Sequence, residues 1–276
     1  MDYPITLTAH RGYRQKFPEN TMIAFREALK LDVDSVETDV HMTADRQLIL
    51  MHDATLDRTT DKKGRICQLT LDEVRAADAG VKFNEQFRGE RVPTLDEFLS
   101  LMATRPDVRV LLELKDYPEE LGDFAYVSCE KALERCKKYG IWGHERLTVI
   151  SFSTGLMAWI RHRHAGEDIV LHGFYPKRHM RGSDKDEPYR YLDEICVFPG
   201  RTDAMGLPLS EQSPVEDEQV FADLSAMGLR TCIYMPYNVN EADYKLALER
   251  GVTGFTCDDA FTCGKILDQL GARKLK

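Results

Sequence analysis

LTAHRGYRQKFPENT, from Leu7 to Thr21, starts as an apolar strand and stops at His10 and Arg11, with Gly12 and Pro18 close behind. A strand buried along its length needs a reason to end in two polar, cation-forming side chains. The same interruption recurs further along. VETDV carries Glu37 and Asp39, QLILMHD ends in His52 and Asp53, and RVLLELK carries Glu113 and Lys115 after a run of apolar residues.

Strand-like apolar runs recur down the chain: ITLTA, VDSVETDV, RVLLELK, RLTVISF, DIVLHGF, DAMGLP, LRTCIYM and GVTGFTC. Helix-like segments separate most of them. TMIAFREALKL has apolar residues at Ile23, Phe25, Ala28 and Leu29, and two later helices stop at Gly140 and Gly228. Thr70 with Glu73 and Thr94 with Glu97 match the capping box that opens a helix. About eight strand–helix alternations in a chain of this length predict an α/β protein of the (β/α)8 barrel type. In that fold the carboxyl ends of the strands hold the chemistry, which accounts for where His10 and Arg11 fall. A doubly wound open sheet is the rival, but neither G-x-G-x-x-G nor G-x-x-x-x-G-K-[ST] follows any strand. The stretch from Asp53 to Pro93 is too long for a βα loop. We expect one domain over residues 1–276 with an inserted subdomain at about 53–93, after the second strand region, lying over the barrel mouth.

The chain has 276 residues, is 43% hydrophobic and carries a formal net charge of -9. That charge offers no broad basic surface to nucleic acid, so any phosphate must be held locally. The N-terminus lacks a secretory pattern and no stretch is long enough to span a membrane, so a soluble protein is expected. Seven cysteines at irregular spacing, with no C-x-x-C pair, fit reduced thiols in the cytoplasm better than a disulfide framework or a zinc site.

Residues two apart on a strand share a face about 7 Å apart, so Glu37 pairs with Asp39 and Glu113 with Lys115. Three carboxylates then converge on one mouth. Unneutralised they would repel and take up protons, and a hard divalent cation with oxygen ligands is the natural neutraliser. Other histidines read differently: His162 and His164 lie two apart on a helix and are expected at the surface, and His172 could line the mouth or be a satisfied polar residue. The basic half of KRHMRGSDKDE could touch substrate or be a solvated loop.

Taken together, AHRG, PENT, VETDV, HMTADRQLILMHDATLDRTT and LLELK resemble the motif set of the glycerophosphodiester phosphodiesterases, within the phospholipase-C-like phosphodiesterase superfamily. The likeness is dense from Thr8 to Thr60 and at Leu111 to Lys115. It continues loosely through VPTLDEFL and NVNEADYKLALERGVTGFTCDD. The resemblance implies a (β/α)8 fold and metal-dependent hydrolysis of glycerophosphodiesters, small soluble substrates, to an alcohol and glycerol 3-phosphate. It implies His10 and His52 as catalytic histidines and Glu37, Asp39 and Glu113 as ligands of one divalent ion, Mg²⁺ or Ca²⁺. It sets Arg11, Lys115, Glu19, Asn20 and Tyr237 about the substrate. Tyr237 stands where relatives usually have tryptophan, and Cys257–Asp258 where many have Thr-Asp. A lysophospholipase D-like or phospholipid lyase activity of the same superfamily is an alternative. So is a glycoside hydrolase, which would need neither two histidines nor a cationic pair.

Overall fold

The structure is a computed structural model whose described residues are 4–182, 187–198, 218–235 and 240–273. Runs of β-branched and aliphatic residues, short and buried on both faces, form strands that pair in parallel. The strands are β1 (Thr6–Ala9), β2 (Ser35–Met42), β3 (Leu48–Leu50), β4 (Arg109–Leu114), β5 (Leu147–Ile150), β6 (Val170–Tyr175), β7 (Glu194–Val197), β8 (Arg230–Met235) and β9 (Gly254–Cys257). Strand order β1-β9-β8-β7-β6-β5-β4-β2, with β1 also pairing β2, closes eight parallel strands into a barrel. β3 adds to the rim of β2 in the antiparallel sense. The helices are α1 (Met22–Ala28), α2 (Leu71–Arg75), α3 (Leu95–Ala103), α4 (Pro118–Leu121), α5 (Asp123–Lys138), α6 (Thr154–Arg163), α7 (Glu218–Ala226), α8 (Glu241–Glu249) and α9 (Ala260–Gln269). The chain is a (β/α)8 barrel. Among the described residues no helix is long and apolar enough to cross a membrane.

Local signals act as the sequence predicts. Both capping boxes form, with Thr70 and Thr94 accepting from the backbone of Glu73 and Glu97 and each glutamate reaching back. Gly140 and Gly228 take left-handed conformations, φ 71° and 80°, just past α5 and α7. Two expectations need correction. The sixth barrel strand is β7, EICV, which pairs with β6 and β8; DAMGLP lies outside the described residues. EICV opens on a glutamate and spans four residues, so it offers too little apolar pattern to stand out. His164 is also buried rather than superficial, its ring 6.0 Å from Trp142 and its Nδ1 2.9 Å from Glu167.

Residues 54–93 contain α2, short turns and an apolar cluster of their own, in which Leu56, Ile66, Val74, Ala77, Ala79 and Val92 pack on Ile49 and Met51. Gly80 is obligatory there, because a Cβ would sit 1.9 Å from the Phe87 carbonyl oxygen.

The barrel lumen is not purely aliphatic at its amino-terminal end. Glu194 accepts from Arg230 Nη1 at 2.9 Å and lies 3.4 Å from His172 Nδ1, and all three are buried. Burial alone would raise the Glu194 pKa, but the bond to His172 and the charge of Arg230 hold it at about 2. Its folded value is depressed, so the stabilisation is complete above the unfolded-state value near 4.5 and is lost as pH falls through 2. That linkage is worth about 3 kcal/mol. Glu194→Ala removes the carboxylate that faces buried Arg230 and His172 and is expected to cost roughly 3–5 kcal/mol at pH 7. Urea denaturation of the variant and the parent checks this; a loss under 1 kcal/mol would show the pair to be dispensable.

Candidate active site

The carboxyl ends of β1, β2 and β4 bring the expected acids together. Asp39 and Glu113 are register partners on adjacent strands, and Glu37 precedes Asp39 by one full pleat on the same lumen face. Glu37, Asp39 and Glu113 are all buried and offer ligand oxygens within 4.8 Å of one another. Burial, then the charges of Asp39 and Glu113, push Glu37 well above the carboxylate range. Burial also raises Glu113, against the pull of Lys115. Asp39 goes the other way, because Lys115 and Arg11 outweigh the burial term and hold it well below. Glu37 Oε1 and Asp39 Oδ1 are buried without a hydrogen-bond partner, although Lys115 Nζ lies 3.2 Å from the latter. Clustered carboxylate oxygens left unsatisfied in this way suit a hard divalent cation.

The cations expected near a phosphate are there too. Lys115 Nζ donates to Glu113 Oε1 at 2.5 Å. Arg11 donates to Glu19 at 2.9 Å and its Nε lies 3.2 Å from Asp39. Arg11 adopts φ 54°, an uncommon left-handed conformation that turns its backbone N–H onto Glu37 Oε2 at 2.9 Å. Gly12 follows at φ 79°, where a Cβ would strike the Ala24 backbone at 2.7 Å, so α1 can close against the strand end only if residue 12 is glycine. Asn20 spends its amide on the acids: Nδ2 donates to Asp39 Oδ2 and Oδ1 accepts from Thr38, both at 2.8 Å. Glu19 and Asn20 thus sit behind Arg11 and Asp39 rather than in the wall of the cleft. Tyr237 lies outside the described residues.

His10 and His52 line the same cleft, of about 170 Å³, as Glu37 and Glu113. Each has its own carboxylate. His10 Nδ1 is 2.7 Å from Asp258 Oδ1, and His52 Nδ1 is 2.7 Å from Asp53 Oδ1. A carboxylate only accepts, so Nδ1 of each ring carries the proton and Nε2 presents its lone pair. His10 Nε2 accordingly faces the acids, 3.8 Å from Glu37 Oε2. Burial, then the Arg11 charge, lowers His10 to about 4. His52 is pushed down by burial and by Lys115.

Several contributors are not apparent from local sequence. Asp258 orients His10 from the far end of the chain and is itself held by the Tyr234 hydroxyl at 3.1 Å. Arg58, from the segment after β3, donates to Glu19 at 2.7 Å and Asp53 at 2.8 Å, tying that segment to the mouth. His41 Nδ1 donates to Asp116 at 2.7 Å, and its Nε2 lies 3.4 Å from the His52 carbonyl oxygen. Opposite the acids, Phe152, Phe174 and Phe198 stack at 3.7 and 5.3 Å into an apolar wall. A periodic signal exists for that wall: TVISF, LHGF and ICVF each place a phenylalanine on the lumen face at a strand end. A second set of potential ligands, His172, Glu194 and Cys232, also falls within 4.8 Å, but its carboxylate is already paired with Arg230.

A family model described as the Glycerophosphoryl diester phosphodiesterase family matches residues 10–262. The chain belongs to this family. Among glycerophosphodiester phosphodiesterases, it is 36% identical over 267 residues to that of Bacillus altitudinis, covering 95% of this chain and 98% of the relative. It is 40% identical over 146 residues to that of Caldanaerobacter subterraneus subsp. tengcongensis, covering 52% of this chain and 57% of the relative. In the latter match the chain spans little more than half the relative's length. The fold of the family member aligns with a putative glycerophosphoryl diester phosphodiesterase from Silicibacter pomeroyi DSS-3, at TM-score 0.78 and 21% identity, over 100% of this chain and 97% of that one. It also aligns with an Oleispira antarctica phosphodiesterase in complex with the product sn-glycerol-3-phosphate, at TM-score 0.75 and 21% identity, over 95% and 96% of the two chains.

Proposed function

We propose that this phosphodiesterase-family member hydrolyses glycerophosphodiesters to an alcohol and glycerol 3-phosphate. One divalent cation would be held by Glu37, Asp39 and Glu113, and His10 and His52 would move the protons. The observation that carries the reading is the meeting, in one cleft, of a buried three-carboxylate cluster with two histidine–aspartate pairs. The name of the full-length Bacillus altitudinis relative supports the same substrate class.

The electrostatics agree. Burial and mutual repulsion push Glu37 and Glu113 towards holding protons, and a divalent ion would let all three carboxylates ionise beside Arg11 and Lys115, giving the cluster positive charge to offset them. Added positive charge at that point suits the negative charge of a phosphodiester. Such an ion, Mg²⁺ or Ca²⁺, held by Glu37, Asp39 and Glu113, would supply charge neutralisation at the non-bridging oxygens. Arg11 and Lys115 bind and orient the phosphate, while Glu19 and Asn20 keep Arg11 and Asp39 in position. One histidine Nε2 takes the proton of the nucleophile, water or the substrate's own glycerol 2-hydroxyl. The other, carrying a proton, gives it to the leaving alkoxide. Asp258 and Asp53 hold the tautomers that make both Nε2 atoms available, and the phenylalanine wall keeps water from that side of the cleft. The segment at 53–93 acts as an inserted subdomain that closes one side of the mouth through Arg58.

The test is release of glycerol 3-phosphate from a panel of glycerophosphodiesters with Mg²⁺, with Ca²⁺ and after chelation. Metal-dependent release is expected, and failure to cleave any diester under either metal would overturn the reading.

A further inference from the structure

We infer that a second anion-binding subsite lies beside the reacting position, built by the loop after β6. It selects glycerophosphodiesters whose headgroup itself carries a negative charge, on a phosphate monoester or a carboxylate. The inference rests on the phosphodiesterase reading above and adds the class of alcohol released.

Past His52, Lys115, Phe152 and Phe198 the cleft continues into a branch of about 440 Å³. Tyr117, Arg178, His179 and Arg181 line it, and among the described residues Glu120 is its one acidic wall residue. This is a local reversal of sign in a chain of net charge -9, and it adjoins the place where a diester would react.

The loop is held in place rather than hanging free. Arg181 N donates to the Phe152 carbonyl at 2.7 Å, and Thr154 N donates to the Arg181 carbonyl at 2.8 Å, which pins this residue to the end of β5. Its guanidinium lies 4.5 Å from the centroid of the Tyr117 ring, and Nη1 donates to Glu120 at 2.5 Å. A guanidinium has five N–H donors in a planar fork, so one such bond leaves it able to bind a further oxyanion. His179 packs 5.4 Å from Phe198, and its buried Nε2 has no hydrogen-bond partner, a polar atom in the branch wall that a ligand oxygen would satisfy.

The same features argue against a quaternary ammonium headgroup. Such a group would seek an open aromatic face. Here Lys115 Nζ sits 5.5 Å from the Phe152 centroid, and Arg181 covers Tyr117. A cationic headgroup in this branch would meet Lys115, Arg178 and Arg181, like charges that outnumber Glu120 among the described lining residues.

The experiment compares kcat/KM for diesters that share the glycerol 3-phosphate half and differ in the alcohol: choline, glycerol, glycerate and inositol monophosphate. The two anionic alcohols are expected to exceed choline, and their separate values tell whether phosphate or carboxylate is preferred. Arg181→Gln and Arg178→Gln are each expected to lower the anion-to-choline ratio roughly 3- to 10-fold, mainly through KM, and added salt should narrow it further. Choline turned over as well as the anions, or a ratio unmoved in both variants, overturns the subsite while leaving the phosphodiesterase reading intact. An equal fall for every diester would instead assign the two arginines to the scissile phosphate and also overturn it. Equilibrium binding of inositol monophosphate separates the two readings from the other side. Binding that weakens in Arg181→Gln, with no diester cleaved, keeps the subsite and removes the phosphodiesterase reading.

Discussion

His10→Ala and His52→Ala are each expected to lower kcat roughly 10²–10⁴-fold, the usual contribution of one positioned general acid or base. KM should change far less, because neither ring is the main charge that holds the phosphate. The two losses are not expected to add, since both groups serve one proton path and removing either already breaks it. Asp258→Asn leaves the His10 ring in place but lets the wrong nitrogen carry the proton, and a smaller fall, roughly 10–10²-fold, is expected. Single-turnover kinetics with saturating metal make the comparison. A His10→Ala or His52→Ala enzyme keeping more than a tenth of parental kcat would remove that histidine from the proton path.

The parts of this site that sequence alone reveals are those in which the chemistry and the local pattern coincide. Glu37 and Asp39 interrupt an otherwise apolar strand, and Glu113 and Lys115 do the same one strand over. A charged side chain in a buried strand is costly unless it is paired or ligated, so its presence is informative. Asp258 carries no such signal: an aspartate just after a strand and just before a helix is an ordinary turn and cap residue, and its partner His10 lies 248 positions away. The same applies to Asp116, which bonds His41 across 75 positions, and to Arg58, whose contact with Glu19 joins two loops. The Asp258–His10 contact depends on barrel closure, which brings β9 beside β1, and Asp116 reaches His41 because β4 lies beside β2. The barrel itself was legible from the alternation of elements, yet β7 was not, because Glu194 and Cys196 face the lumen there and leave only Ile195 and Val197 to mark a strand. The Glu194–Arg230 pair explains why a glutamate is tolerated at that point, and the explanation is visible only in three dimensions.

The carboxylate cluster should be the more sensitive half of the machinery. Asp39 is fully buried between Arg11, Lys115 and Asn20, and is the one acid of the three whose surroundings keep it ionised. Asp39→Asn removes a charged ligand and leaves Arg11 and Lys115 less compensated. It should lower kcat/KM by roughly 10³-fold or more, equivalent to about 4 kcal/mol of transition-state stabilisation. Glu37→Gln should be gentler on the fold, since Glu37 is the member most inclined to hold a proton when no cation is bound. Because a cation would bind the folded chain and not the unfolded one, added metal at 100 times its dissociation constant should stabilise the parent by about 2.7 kcal/mol.

The most direct measurement is calorimetric titration of Mg²⁺ and of Ca²⁺ into chelator-treated protein, parent beside Asp39→Asn and Glu37→Gln. At least one ion should bind the parent at one site per chain, and both substitutions should weaken or abolish that binding while circular dichroism reports an intact fold. Absence of binding by either ion to the parent, or binding of equal strength in folded Asp39→Asn, would contradict the assignment of Glu37, Asp39 and Glu113 as the metal centre.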